Sequence, residues 1–297
     1  MGKIRTPYIL LAAFIAFHLY SCLPVQKAVS HQQQLAVLDS QLAQHSKTLK
    51  ELDAKRQAKQ DQNEIDDTAS ARIKKYIGFT TGEIDKLIAQ NSILIGNTVV
   101  NREDWLKLKK ALTLSQGTSK MINDKVDFIN DLINRNMVVK LDQDLLFQPG
   151  KYTVEPKVAD AIGKFFEPAA KEIDLFTQKY PDFPLSLVIT AKGYADGTSI
   201  VEGTPLYKDL SDGLKLSGKT PDNKDLNKEL SNRRADAIIV LFKKYTYGRS
   251  TMGGSVKNVI FLTEGKGDAL PNPKITDYSI DDARRRVVLL FWSVFPE

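Results

Sequence analysis

Asn227-Lys228-Glu229-Leu230-Ser231-Asn232-Arg233-Arg234-Ala235, preceded by Gly193-Tyr194-Ala195-Asp196-Gly197, is the stretch from which the fold of this chain is read. The first segment lies near the start of a helical pattern and the second closes a strand-like one. An acid at a strand end and an arginine in the first turns of a helix can converge on a small zwitterion. The carboxylate takes its ammonium and the guanidinium its carboxylate. This is recognition chemistry without a nucleophile.

The elements around these segments follow from periodicity. Met137–Phe147 alternates as a strand does, and Gln148-Pro149-Gly150 turns it. A helix is expected from about Glu155 to Tyr180, with Val158, Ile162, Phe165, Phe166, Ile173 and Phe176 on its apolar face. Leu185–Ala191 reads as a buried strand running out to Asp196, and Leu226–Tyr245 as a second helix whose Ala235, Ile238, Ile239, Leu241 and Phe242 face the sheet. Val259–Thr263 and Arg286–Phe295 supply two more strands. The order is β-α-β-α-β-β, and the class is α+β.

On these residues the second half, Val138 to Phe295, resembles the OmpA-like peptidoglycan-binding domain shared by OmpA, Pal and MotB. Leu145-Leu146-Phe147-Gln148-Pro149-Gly150-Lys151-Tyr152-Thr153-Val154 is similar to the family's first strand and exit turn. Gly193-Tyr194-Ala195-Asp196-Gly197 is similar to its glycine, aromatic, threonine, aspartate motif, with alanine in place of threonine. Asn227, Leu230, Ser231, Arg234 and Ala235 match its helix motif throughout, and Arg284-Arg285-Arg286-Val287 resembles its closing Asn-Arg-Arg-Val.

The resemblance implies a mixed sheet with two helices on one face, and a site for the diaminopimelate residue of the uncrosslinked peptide stem of peptidoglycan. By that likeness Asp196 takes the ammonium and Arg234 the carboxylate. Asn227, Leu230 and Arg285 line the pocket, and backbone amides near Gly197 add donors. An internal surface salt bridge between Asp196 and Arg234, worth about 0–1 kcal/mol, is the bland alternative. The chain departs from the pattern by inserting residues 198–226, rich in Gly, Lys, Asp and Ser, between aspartate and helix. That insertion either caps the pocket or blocks it. Gln148 stands where many members have an acid. No cofactor and no metal are implied.

The first half is helical. From Gln26 to about Gln60, Ala28, His31, Leu35, Leu38, Leu42, His45, Leu49 and Leu52 form a heptad seam. It fits either a parallel, dimeric coiled-coil stalk or one amphipathic helix folded back on those that follow. Asn63–Ser70 breaks the pattern. Thr80-x-x-Glu83 has capping-box spacing ahead of Ile84, Leu87 and Ile88. Asn101 caps a helix carrying Trp105, Leu108 and Leu112, and a further helix is expected from about Lys120 to Arg135.

At the amino terminus, Lys3 and Arg5 precede the apolar run Pro7–Leu19, which closes on Leu19-Tyr20-Ser21-Cys22. Two anchors fit. In one, a lipoprotein signal peptide is cut before Cys22, whose acyl chains contribute about 0.8 kcal/mol per buried methylene. In the other, Tyr8–Val25 is an uncleaved membrane helix. Both place the rest of the chain in the periplasm, because Lys3 and Arg5 stay inside. Leu23 follows Cys22 where an aspartate would signal inner-membrane retention in some bacteria, which favours the outer membrane. The expected partition is 1–21 signal or anchor, 22–70 stalk, 71–136 helical spacer and 137–297 OmpA-like domain.

Composition narrows the function further. The single cysteine among 297 residues allows no internal disulfide, and its place beside the apolar run suits lipidation. A net charge of +6, with basic residues interleaved with acids, argues against nucleic acid as a partner. All three histidines precede residue 50, so neither a histidine triad nor a zinc site can form in the second half. Glu202, Asp209 and Asp212 offer acids for hydrolysis, but a Lys-rich, Gly-rich loop uses acids for solvation. The reading is a non-catalytic cell-wall tether. Its expected partners are peptidoglycan, a membrane, a second copy through the stalk, and proteins of an envelope complex such as a secretion apparatus. A proton-conducting stator is disfavoured, because Tyr8–Val25 holds no acid. A domain that has lost wall binding and serves protein interaction is the remaining alternative.

Overall fold

The structure, a computed structural model, describes residues 6–99, 101–135, 137–148, 150–214, 220–247 and 256–296; the side chains of 6–25 and Asp160 lie outside that description. Cys22 and the apolar run before it therefore fall outside the described side chains. Among the described residues no helix is long and apolar enough to cross a membrane. The chain divides into a helical unit, residues 1–53 and 75–130, and a sheet unit, residues 54–74 and 131–297.

Three long helices, α1 (Thr6–Asp61), α2 (Asp67–Gly96) and α3 (Arg102–Asn134), supply the helical unit. Leu35, Leu42 and Leu49 of the seam are fully buried. Ala28 and Leu35 pack on Leu108 and Leu112 of α3, with Leu94 and Trp105 against them. Of the two interpretations of the seam, the structure shows the fold-back: the apolar stripe that a second copy would need is covered by α2 and α3 of the same chain. His31 stacks on Trp105 with ring centroids 6.2 Å apart. Gln32 caps the end of α2, its Nε2 donating to the carbonyls of Leu94, Ile95 and Asn97 at 3.2, 3.1 and 2.9 Å.

A buried polar chain fixes the register of these helices. Asn91 Nδ2 donates to Asp39 Oδ1 at 2.7 Å and Asn91 Oδ1 accepts from Ser115 Oγ at 2.7 Å, so α1, α2 and α3 each contribute one member. Burial pushes the Asp39 carboxyl up, against the lowering effect of the Asn91 bond. Asn101 caps α3 as expected, its Oδ1 accepting from Asp104 N–H at 2.9 Å. The break expected at Thr80 is absent. Thr80 is fully buried within α2 and its hydroxyl donates to the Tyr76 carbonyl, while Glu83 pairs with Lys125 at 2.6 Å. The gap expected before Lys120 is likewise closed by the continuous α3.

The sheet unit is α+β. Strands β1 (Val138–Asp142), β2 (Leu185–Gly193), β3 (Val256–Gly265) and β4 (Val287–Pro296) form a sheet of order β1-β4-β2-β3. The β1/β4 and β2/β4 pairs are antiparallel and β2/β3 is parallel, which makes the sheet mixed. Helices α4 (Gln143–Leu146) and α5 (Pro156–Lys179) follow β1, and α6 (Pro205–Leu214) and α7 (Asn223–Tyr247) follow β2. Leu187, Ile189 and Ala191 share one face of β2. The core also takes Phe166, Ile173 and Phe176 of α5 and Ala235, Ile238 and Phe242 of α7, all buried.

Every residue of β2 is buried, so its second face is covered too. The cover includes the first turns of α2. Lys192, buried on that face, reaches Asp67 at 3.1 Å, and Arg72 lies 5.4 Å from the centroid of the Phe295 ring. The two-helix face expected from sequence is thus joined by a helical cover on the opposite side.

One correction bears on the site. The strand expected to run to Phe147 ends at Asp142, whose carboxylate accepts from Asp144 N–H at 3.0 Å and caps the short α4. Leu146 and Phe147, at the end of α4, are both buried.

Candidate zwitterion site

Two glycines bring α7 against the sheet. A Cβ on Gly193 would sit 2.0 Å from the Ser231 carbonyl oxygen, and one on Gly265 2.3 Å from that of Lys228. This approach sets the first turns of α7 beside the carboxyl ends of β2 and β3. A cavity of about 630 Å³ opens there, with Asp144, Asp196, Asn227, Leu230, Arg234 and Arg286 in its walls.

Arg234 is buried, with its guanidinium 5.4 Å from the centroid of the Phe147 ring. Its Nε donates to the Lys151 carbonyl at 3.1 Å and its Nη1 to Gln143 Oε1 at 2.6 Å. Both partners are neutral, and among the described residues no carboxylate pairs with it. Burial pulls the guanidinium down to about 10, with Asp144 and Asp196 offsetting part of the shift, so it remains cationic at neutral pH. Gln143, on the first residue of α4, is fully buried and holds this arrangement. Its Nε2 donates to the carbonyls of Tyr194 and Val287 at 2.7 and 2.8 Å, leaving Oε1 aimed at Arg234.

Asp196 does not pair with Arg234. Its Oδ2 accepts from Arg286 Nη1 at 2.8 Å and its Oδ1 from Thr198 N–H at 3.1 Å. Burial alone would raise its carboxyl, but the bonds from Arg286 and Thr198 outweigh burial and hold it below the usual range. Arg286 also forks onto Asp144, its Nε and Nη2 donating to the two carboxylate oxygens at 2.8 and 2.6 Å. Two carboxylates share one guanidinium, so this side of the cavity carries a formal charge near −1, and Arg234 carries +1. The cavity has the charge pattern of a zwitterion's complement.

The remaining expected residues take other positions. Leu230 lines the cavity; Asn227 does also, but its Nδ2 donates to the Thr198 carbonyl at 3.3 Å and so fastens the insertion. The Gly197 N–H is spent on the Ile280 carbonyl at 2.6 Å and is not a free donor. Arg285 points away from the cavity, donating to the carbonyls of Ser279 and Ile280 at 3.2 and 3.3 Å and to that of Asp268, which buttresses the loop after β3. The arginine on the cavity is its neighbour Arg286. Gln143, Asp144 and Arg286 are the contributors that sequence reasoning did not assign. Only Arg286 had a signal, as the last arginine of the closing motif.

The described part of the insertion walls the cavity. Thr198, Ile200, Val201 and Leu206 line one side, and α6 packs Leu210 on Leu226 and Leu230. Asp209, one of the acids considered for hydrolysis, is held by Arg233 at 3.0 Å and by the Tyr152 hydroxyl. Among the described residues no group of three His, Cys, Asp or Glu side chains could hold a metal.

No protein-family model matches the chain, and no curated protein matches it significantly. Solved structures do. The periplasmic domain of Helicobacter pylori MotB is 19% identical, covers 52% of this chain and 74% of its own, and superposes with a TM-score of 0.28. A putative MotB-like protein from Desulfovibrio vulgaris is 16% identical with the same coverage and a TM-score of 0.27. The solved structures to which this chain is similar thus include the periplasmic domain of a MotB and a putative MotB-like protein.

Proposed function

We propose that this chain is a non-catalytic wall tether whose sheet unit grips the diaminopimelate residue of uncrosslinked peptidoglycan stems. The carrying observation is Arg234: a buried cation held, among the described residues, by neutral acceptors, in a cavity whose other charged side is net negative. A ligand carboxylate gives Arg234 the charged partner that the protein withholds, and a charge-assisted bond of this kind contributes about 1.5–3 kcal/mol. The ligand ammonium meets Asp196 and Asp144 with Arg286 between them. Leu230 supplies an apolar floor.

In this reading the helical unit is a spacer, and Cys22 or the apolar run before it holds the protein at a membrane, with the outer membrane favoured. The tethered object is that membrane or a trans-envelope assembly. The test is co-sedimentation of the full chain, in mild detergent, with purified diaminopimelate-type sacculi. Wild type pellets with the sacculi, and Asp196→Ala and Arg234→Ala remain in solution. A folded wild type left in the supernatant would transfer the role to protein interaction.

A further inference from the structure

Asp144, Asp196, Arg234 and Arg286 stand in the walls of the cavity, and among the described residues no other charged side chain lines it. Two carboxylates face two guanidiniums, so the formal charges cancel. The two arginines differ in what they have left to offer. Arg286 spends its fork inside the protein: Nε and Nη2 donate to the two oxygens of Asp144 at 2.8 and 2.6 Å, and Nη1 donates to Asp196 Oδ2 at 2.8 Å and to the Asp281 carbonyl at 3.2 Å. Arg234 donates through Nε and Nη1 to neutral acceptors, and among the described residues nothing bonds its Nη2. Arg234 is therefore the arginine with donors to give a ligand, and what Arg286 contributes to the cavity is charge.

We infer that Arg286 is a specificity-determining residue, which by neutralising one of the two carboxylates leaves a cavity of zero formal charge that admits a zwitterionic stem end and disfavours a purely cationic one. The inference rests on the function proposed above. The free end of a diaminopimelate stem carries an ammonium and a carboxylate on one carbon, whereas the free end of a lysine stem carries the ammonium alone. Both ammonium groups meet the same acids. Arg286 repels either of them, and it attracts the carboxylate that only diaminopimelate brings. A lysine end thus adds a charge to a cavity already in balance and leaves Arg234 without a charged partner. The Arg286 and Asp144 side chains are 28% and 47% exposed, so solvent screens part of this effect. One unit charge at this place then corresponds to about tenfold in the ratio of the two affinities.

The experiment is calorimetric titration of the full chain, in mild detergent at neutral pH and low salt, with two stem tripeptides, L-alanyl-γ-D-glutamyl-meso-diaminopimelate and its lysine counterpart. Wild type should prefer the diaminopimelate stem by at least tenfold. Arg286→Gln leaves two carboxylates against one guanidinium, so the lysine stem should bind more tightly than to wild type and the preference should shrink by about tenfold. Asp144→Asn, at a half-exposed acid, tips the balance the other way and should widen the preference. If Arg286 only positioned Asp196, its loss would weaken both stems alike, since both use that acid, and the ratio would stay where it was. That result, or a wild type without preference, would overturn the inference and leave the tether standing. Should Arg286→Gln fail to fold, as read by circular dichroism, Asp144→Asn decides: an unchanged or narrower preference overturns the inference. If wild type binds neither stem, the tether fails and the inference with it.

Discussion

Replacing Gln143 with alanine tests whether Arg234 is held ready by a neutral side chain. Gln143 makes three buried side-chain hydrogen bonds, two to carbonyls and one from a guanidinium. A neutral bond contributes about 0.5–1.5 kcal/mol and one to a charged group about 1.5–3 kcal/mol, so the loss sums to about 2.5–6 kcal/mol. The tryptophans make this measurable, because Trp292 lies in β4 of the sheet unit and Trp105 in the helical unit. In a Trp105→Phe background, urea unfolding followed by Trp292 fluorescence reports the sheet unit alone. The midpoint should fall without a change in slope, and diaminopimelate affinity should fall as well, because Arg234 loses its Nη1 anchor. A destabilisation below about 1 kcal/mol, or full destabilisation with unchanged affinity, would refute the orienting role.

Other parts of the structure make separate predictions. Asn91→Ala leaves Asp39 and Ser115 without their shared partner, and should cost about 2–3 kcal/mol in the helical unit, read from Trp105 fluorescence with Trp292 replaced. Gly193→Ala places a methyl group 2.0 Å from a backbone oxygen, so α7 must lift from β2; circular dichroism melting should show a Tm lower by several degrees or more, against no change if the approach is loose. Arg286→Ala removes one of the bonds that hold the Asp196 carboxyl low and leaves that from Thr198 against burial; carbon-detected NMR titration should show its midpoint moving up. The linked stability has a definite sign. A carboxyl depressed by folding stabilises above its unfolded value, near 3.9, and the contribution is lost as pH falls through the folded one. Wild type should therefore show an acid-induced loss below about pH 4 to which Asp196 contributes, and Arg286→Ala should show a smaller one.

The helix motif and the strand end before Asp196 could be read from residue types because local spacing fixes them. Asn227, Leu230 and Arg234, three and four residues apart, fall on one face of α7 whatever surrounds it. The heptad seam of α1 was equally clear, but heptads look the same whether the partner helix comes from another copy or from residues further along the chain. Only the lengths of α2 and α3 decide, and a buried Thr80 that bonds its own helix looked like a cap. Gln143 was hidden because a polar residue after a strand gives no sign of turning inward; the Asp142 cap turns it. Arg285 and Arg286 were exchanged for a geometric reason. Arg285 ends a 3-10 turn, Ala283–Arg285, in which successive residues point about 120° apart, and Arg286 follows it as the cap, so adjacency in sequence does not say which arginine meets the cavity. The cover over the second sheet face joins residues far apart in sequence, which no local pattern shows.

The central claim, that Arg234 takes a carboxylate while Asp196 and Asp144 take an ammonium, is tested most directly by trimming the ligand. Titrating the full chain with meso-diaminopimelate, with pimelate, which lacks both ammonium groups, and with 1,5-diaminopentane, which lacks both carboxylates, separates the two charges. The account predicts saturable binding of meso-diaminopimelate and a loss of at least tenfold for each of the others, as expected when a buried charged group is left without its partner. Equal binding of pimelate would remove Asp196 from the site, and equal binding of 1,5-diaminopentane would remove Arg234.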